Sequence, residues 1–295
     1  QVSSARRDNL HYAMQRRPRD PMPQVLEALT LSQGASLIYA RTRRSVERWA
    51  ERLQEQNVDA TPYHAGLDPE TRQLALTRFL EQKRPVLVAT VAFGMGVDRG
   101  DVRLVLHLDL PATPEGYLQE SGRAGRDGLP AHCLVLFSPG DRTSLGWAMQ
   151  ASARKKGSND EQRRLDLAQQ QLRRMEAVAE GEICREQALL LAVGELVDAC
   201  GRCDRCCGPV QRRDWSTQAE TLLSHLHDLD GTDMRRLGEH LALKEPGRGD
   251  RWTWLARRLV QEELISESND GVQRLYLRES GRRFLDAPWP LDYAA

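Results

Sequence analysis

Between Ala35 and Phe137, short apolar runs alternate with longer stretches in which apolar residues recur every three or four positions. The runs "ASLIYA", "VLVAT", "LVLHLDL" and "HCLVLF" are rich in Val, Leu and Ile and bounded by breakers, the pattern of strands buried on both faces of a parallel sheet. Between them "SVERWAERLQEQ" and "PETRQLALTRFLEQ" carry helical spacing. Strand alternating with helix predicts an α/β fold, an open parallel sheet covered on both faces. Such sheets hold ligands at the carboxyl ends of their strands. The loops expected to meet on one edge are Arg41–Arg44, His64–Gly66, Thr90–Asp98 and Asp109–Tyr117.

The pattern then changes. "NDEQRRLDLAQQQLRRMEAVAE", between Ser158 and Gly181, has no strand signal and predicts one helix or a helical hairpin, followed at once by a cysteine-rich segment. After Pro209 come three helical stretches, "TQAETLLSHLHDL", "DMRRLGEHL" and "DRWTWLARRLVQEEL", then two short strands joined through "NDG", a strong hairpin signal. Three helices and a hairpin predict a winged helix, with a short tail rich in proline and tryptophan after Arg282. The expected domains are 1–150, a sheet lobe with an N-terminal connector; 151–209, a helical metal-binding module; and 210–295, a winged helix and tail.

Composition narrows the function classes only slightly. The 295 residues carry 42 basic and 42 acidic side chains, so any nucleic-acid contact must come from local patches. There is no apolar run of membrane-spanning length and no leader pattern, which makes the cytoplasm the expected location and a membrane partner unexpected.

The chemistry concentrates in "GRAGRDG", Gly122–Gly128. A guanidinium presents a planar fork of donors matched to phosphate oxygens, and flanking glycines let backbone approach a ligand closely. Arg123 and Arg126 therefore suit a triphosphate, where an arginine supplied from outside the primary site is worth about 10³ to 10⁵ in turnover. A tight turn whose arginines face water is the competing reading. The glycine-bearing loop "TVAFGMGVD" and the stretch "YHAGL" shift the balance toward a ligand site.

"YHAGL", "VATVAFGMGVD" and "YLQESGRAGRDGLP" resemble, in order and spacing, the second-lobe motifs of the RecQ family of superfamily 2 DNA helicases, over about Ala35 to Phe137. The resemblance implies a RecA-like lobe of a motor that binds ATP and Mg²⁺ between two lobes and moves 3′ to 5′ on single-stranded DNA at duplex junctions, in repair and recombination. It assigns Arg126 as arginine finger, with Arg123 and Gln119 beside it, and gives Thr90, Gly94, Gly96 and Asp98 nucleotide or DNA contacts. Thr42, Arg43 and His64 inherit the DNA backbone; a locally satisfied polar residue is the alternative for His64. The chain has no G-x-x-x-x-G-K-[ST] and no "DExH" stretch, and "SSARRDNLHYAM" resembles the connector leaving the family's first lobe. The ATP-binding lobe is thus an expected partner, and this chain alone is expected not to hydrolyse ATP. A non-catalytic DNA-binding protein derived from such a helicase is the alternative.

The segment "CREQALLLAVGELVDACGRCDRCC" places fifteen residues between Cys184 and Cys200, then two between successive cysteines to Cys206. Clustered cysteines without a leader suggest metal ligands before disulfides, and four thiolates suit a structural Zn²⁺. Cys184, Cys200, Cys203 and Cys206 are the expected ligands, with Cys207 competing for the fourth place. The RecQ family has the same arrangement, its first gap about one residue longer. In the winged helix, Trp252, Leu255, Leu259 and Val260 take core spacing, which turns Trp254, Arg257 and Arg258 toward DNA; a solvated face is the alternative.

Overall fold

The computed structural model describes residues 4–91, 93, 98–154, 159–208, 212–229, 231–244, 249–268 and 273–294. The chain forms two compact units, Gln1–Leu145 with Gln170–Gly208, and Gly146–Gln169 with Pro209–Ala295.

The first unit opens with β1 (Leu10–Arg16), α1 (Met22–Leu31), β2 (Ala35–Tyr39), α2 (Arg43–Glu55), β3 (Ala60–Tyr63) and α3 (Pro69–Glu81). It continues with β4 (Val86–Ala89), β5 (Val102–His107), α4 (Pro114–Ser121) and β6 (Ala131–Phe137). The strands form a six-stranded sheet in the order β1-β6-β5-β2-β4-β3, every pair parallel. Side chains alternate across a strand, so Ile38, Val88, Leu104 and Leu106 join Val46, Trp49 and Leu53 of α2 and Val25 of α1 in one apolar cluster. The intervening Tyr39 and His107 turn to the opposite face. Thr42, Asp68 and Thr113 cap α2, α3 and α4 through side-chain oxygens that accept from Ser45, Thr71 and Gly116 N–H groups. Cys133 is fully buried in β6, and burial pushes its thiol up to about 12, in keeping with a core role.

The stretch predicted as connector supplies β1, an edge strand whose register with β6 runs from Leu10–Ala131 to Arg16–Phe137. Its polar residues give no strand run in sequence; pairing with β6 makes it one. Beyond β6 lie α5 (Pro139–Arg154), α6 (Asn159–Glu180), α7 (Arg185–Ala192) and α8 (Asp204–Cys207), and the charge-rich stretch is the single helix α6.

The second unit contains β7 (Arg212–Asp214), α9 (Ser216–His227), β8 (Thr232–Asp233), α10 (Met234–Lys244), α11 (Gly249–Gln261), β9 (Ile265–Glu267), β10 (Arg274–Leu277), α12 (Glu279–Asp286) and β11 (Asp292–Ala294). From α9 to β10 the order is helix, strand, two helices, two strands, with an antiparallel sheet β8-β10-β9: a winged helix. The "NDG" turn lies outside the described residues. The expected tail instead closes the unit: β11 pairs with β7, and Phe284, Leu291 and Tyr293 join the core built on Trp215, Leu222 and Leu259. Among the described residues no helix is long and apolar enough to cross a membrane.

The structure corrects the DNA face assigned to α11. Trp254, Arg257 and Arg258 are buried, because residues 254–259 are enclosed on every side. Trp254 packs on Trp215 at 4.9 Å and edge-on to Tyr293 at 6.1 Å, while the Arg258 guanidinium lies 4.7 Å from the Tyr293 ring centre. Trp254 and Arg258 thus pack inside this unit. Trp254→Ala is therefore expected to cost about 3–5 kcal/mol of stability, measurable as a fall in the denaturant midpoint of the second unit.

Candidate functional site

The arginine loop is fixed in place by the first strands of the sheet. Gly125 N–H donates to Val102 O at 2.9 Å, the Asn9 side-chain amide donates to Gly125 O at 2.8 Å and Leu129 O at 2.9 Å, and Arg7 reaches Gly125 O at 2.6 Å. Gly125 has φ +53°, and a Cβ there would lie 2.5 Å from the Asn9 amide and 2.7 Å from Leu129 O, so the residue is glycine by geometry. Arg103 on β5 bonds Asp127 and holds its carboxyl below the usual range. The loop is thus a rigid turn that presents two arginines.

Arg126 and Asp98, both assigned to the site from sequence, meet: Nη1 donates to the carboxylate at 2.8 Å, with Asp98 84 % exposed and Arg126 37 %. An exposed pair of this kind contributes about 0–1 kcal/mol, so phosphate oxygens can replace the carboxylate with little loss. The Tyr39 hydroxyl donates to Phe93 O at 3.4 Å, in the Thr90–Asp98 segment. The pair with Asp98 brings Arg126 to the Asp98 end of that segment.

The arginine loop does not share one rim with the other loops. The arginine loop contacts Gly100 and Val102, at the amino end of β5, whereas Arg41–Arg44, His64 and Thr90 follow the carboxyl ends of β2, β3 and β4. α4 carries the chain from the carboxyl end of β5 back to the amino end of β6, so the arginine loop starts from the opposite end of the sheet. Gln119 is exposed on α4. Gly94 and Gly96 lie outside the described residues. Thr90 follows β4 directly, its carbonyl accepting from Phe93 N–H at 2.9 Å.

At the carboxyl rim, local bonds occupy two residues assigned to DNA. His64 is 3 % exposed; its Nδ1 accepts from Gly66 N–H at 3.1 Å, which leaves Nε2–H to donate to Glu47 at 3.0 Å. Both ring nitrogens are thus satisfied within the loop and α2, the local alternative set beside the DNA reading. The Thr42 hydroxyl caps α2. Arg43 is exposed and lies along Gly66, where a Cβ would come within 3.0 Å of its Cδ and Nη1. It remains the rim residue suited to a phosphate.

In the second site, the sulfurs of Cys184, Cys200, Cys203 and Cys206 all lie within 4.8 Å of one another. The Cys184–Cys203 and Cys200–Cys206 pairs stand at 3.9 and 4.0 Å. A tetrahedral zinc with bonds of about 2.3 Å requires edges of about 3.8 Å, so the donor set fits Zn²⁺. Backbone N–H groups of Arg185, Cys200, Arg202 and Cys203 point at these sulfurs from 3.2 to 3.4 Å, which favours thiolates. Cys207 is exposed and its Sγ turns to Gly201 O at 3.3 Å, away from the cluster. Cys207→Ser is accordingly expected to retain the full metal complement and Cys206→Ser to lose it, as metal analysis of the purified variants will read.

Two ion pairs that sequence reasoning missed weld this cluster to the sheet. Arg185, 1 % exposed, grips Asp204 through Nε at 2.9 Å and Nη2 at 3.2 Å, and the same carboxylate accepts from Met14 N–H in β1 at 3.1 Å. Arg202 forks onto Glu186 at 2.6 and 2.8 Å and reaches Leu10 O and Arg7 O at 3.1 Å. Burial pushes the Glu186 carboxyl up, against Arg202 and Arg6, which pull it down. The signal available in sequence was charge inside the cysteine spacing, "CRE" and "CGRCD", where exposed ligand loops need none.

Residues 21–128 match the family model described as helicase conserved C-terminal domain, and residues 139–207 match RecQ zinc-binding. The chain is 31 % identical over 319 residues to the ATP-dependent DNA helicase RecQ of Haemophilus influenzae, covering 99 % of this chain and 50 % of that protein. It is 38 % identical over 191 residues to RecQ of Bacillus subtilis, covering 64 % of this chain and 31 % of that one. The structure is also similar to the C-terminal domain of the DEAD-box protein Dbp5, with TM-score 0.39 and 20 % identity, covering 49 % of this chain and 86 % of that one. The chain spans half the length, or less, of these two curated relatives. With a match to the helicase C-terminal domain and one to RecQ zinc-binding in succession, on the residues where the sheet lobe and the thiol cluster stand, the chain is similar to the C-terminal portion of RecQ helicases.

Proposed function

We propose that the chain is the C-terminal part of an ATP-dependent DNA helicase that unwinds duplex DNA in the 3′-to-5′ direction during repair and recombination. Arg126, with Arg123 beside it, meets the γ-phosphate of ATP held with Mg²⁺ on a P-loop lobe that this sequence does not include. Gln119, Thr90 and Asp98 belong to the same nucleotide-responsive region, and Arg43 contacts the DNA backbone. Cys184, Cys200, Cys203 and Cys206 hold Zn²⁺, which supplies cross-links and no chemistry, since four sulfurs leave no open position. A protein acting on chromosomal DNA works where that DNA is, in cytoplasm or nucleus.

The observation that supports this reading most directly is the Arg126–Asp98 pair, on a chain matching both RecQ domains. A purely DNA-binding protein has no use for two arginines gathered on a rigid glycine loop. Two measurements on the purified chain test it. Single-stranded DNA is expected to bind with an affinity that falls steeply with salt, as phosphate contacts require. ATP hydrolysis is expected to stay at the buffer rate with or without DNA, because an arginine finger without a phosphate cradle has nothing to stabilise. Hydrolysis by the chain alone would contradict the division of labour.

A further inference from the structure

The Thr90–Asp98 segment is tied to α3 on both sides, and both ties lead to Phe79. Phe79 is 2 % exposed, and its ring meets that of Phe93 edge-on at 5.9 Å. Directly after the segment stands Arg99, its side chain 9 % exposed. The Arg99 guanidinium lies 5.6 Å from the Phe79 ring centre, donates through Nη1 to Phe79 O, and donates through Nη2 to Gln82 O at 2.9 Å. The last carbonyls of a helix have no partner within it and favour a cation, so Arg99 closes the carboxyl end of α3 from outside. The same guanidinium forks onto Asp101, through Nε at 2.5 Å and Nη2 at 2.9 Å. Asp101 O in turn accepts from Ala35 N–H at 3.1 Å, at the start of β2.

We propose that Arg99 is a positioning residue that sets the spacing between the Thr90–Asp98 segment and the arginine loop. On one side of it, Asp98 accepts from Arg126 at 2.8 Å; on the other, Gly100 O accepts from Asp127 N–H at 3.4 Å. Both chain neighbours of Arg99 therefore meet the loop that carries Arg126, while its guanidinium fixes them to α3. The inference rests on the reading of Arg126 as the finger on ATP. Without Arg99, the bonds from Gly125 to Val102 and from Arg103 to Asp127 still hold the loop to β5. What shifts is Asp98 and the segment before it, and the two sets of groups no longer converge on one triphosphate. A misplacement of about 1 Å in such a site costs about 10² in turnover.

Two readouts test it. In this chain, the Arg126 Nε–Hε signal by nuclear magnetic resonance, identified by its loss in Arg126→Lys, is expected to move beyond its line width in Arg99→Ala. In a polypeptide that includes the P-loop lobe, Arg99→Ala is expected to lower DNA-stimulated kcat about 10²-fold and to change KM for ATP far less. Arg99→Lys keeps a cation at the end of α3 and is the variant safest for folding. It is expected to move the same signal and to lose less turnover, because an ammonium cannot fork onto Asp101 while reaching both carbonyls. Added to Arg126→Ala, the Arg99→Ala change is expected to cost nothing further, since residues that act through one group do not add. An unmoved Arg126 signal in a folded Arg99 variant, or a kcat loss that adds in full to that of Arg126→Ala, would overturn the proposal. A moved signal together with undiminished turnover by Arg126→Ala would overturn the nucleotide reading of Arg126 and leave the positioning intact.

Discussion

Stripping the metal from the four-cysteine cluster is expected to unfold residues 184–207 and to release β1 from the sheet. Structural zinc of this kind contributes on the order of 10–16 kcal/mol of folding free energy, comparable to the whole stability of an ordinary domain, about 5–15 kcal/mol. In this segment backbone N–H groups of Arg185, Cys200, Arg202 and Cys203 all point at the thiols. α8 is four residues long, and the stretch from Gly194 to Cys200 is irregular, so without the metal nothing local holds Asp204 opposite Arg185 or Arg202 opposite Glu186. Once Arg185 and Arg202 lose their places, Met14 N–H, Leu10 O and Arg7 O lose theirs, and β1 keeps only its pairing with β6 and packing such as that of Tyr12 on Tyr117. Cys203→Ser should reproduce chelation, since Cys203 is buried and its sulfur accepts from the Arg185 amide. Hydrogen exchange reads the result directly: amides of residues 10–16 and 184–207 lose protection together, while β2, β4 and β5, central in the sheet, keep theirs. Loss confined to the cysteine segment would mean that the two ion pairs do not couple the metal to the strand.

The second large effect concerns Arg126. In a polypeptide that includes the P-loop lobe, Arg126→Ala is expected to lower DNA-stimulated kcat by about 10³–10⁵, the range found for arginines supplied across a nucleotide cleft. Arg126→Lys should recover little, because an ammonium cannot present the planar fork that meets two phosphate oxygens. KM for ATP should change far less than kcat, which separates a contact made in the transition state from one made equally in the ground state. Asp98→Asn provides the internal control. It frees Arg126 from an exposed ion pair, so stability moves by a few tenths of a kcal/mol at most.

Much of this arrangement was legible in the sequence, for reasons that differ from residue to residue. The runs at 35–40, 86–90, 104–110 and 132–137 declared themselves because central parallel strands are covered on both sides, and β2 is buried at each of its five positions. The cysteine ligands were readable because sulfur spacing is a local property. Cys206 could be preferred over Cys207 by the two-residue gap, and the side-chain directions agree with that preference. The resemblance to RecQ motor motifs named Arg126 and Asp98 without indicating that they touch.

What stayed hidden was set by long-range packing. Leu10–Arg16 is a strand only because β6 lies beside it, and its His, Gln and Arg residues carry no strand pattern of their own. The arginine loop could not be assigned to an end of the sheet, since that depends on α4 running back toward the amino end of β5. α11 misled for a definite reason: helical spacing distinguishes one face from another only when one face meets water, and here Trp215 and Tyr293 wall off the second face as well. His64 behaved as a polar strand-end residue because Glu47 on α2 and Gly66 satisfy both ring nitrogens, a match invisible until α2 is placed.

The central claim is that the guanidinium of Arg126 acts on a nucleotide as its γ-phosphate departs. The most direct test is the affinity of the P-loop-bearing polypeptide for fluorescent ADP with aluminium fluoride, a mimic of that departing phosphate, compared with ADP alone. Arg126→Ala is expected to weaken the mimic by about 10³-fold or more and to leave ADP within a small factor of the unaltered protein. Equal affinity for the mimic with and without Arg126 would contradict the account.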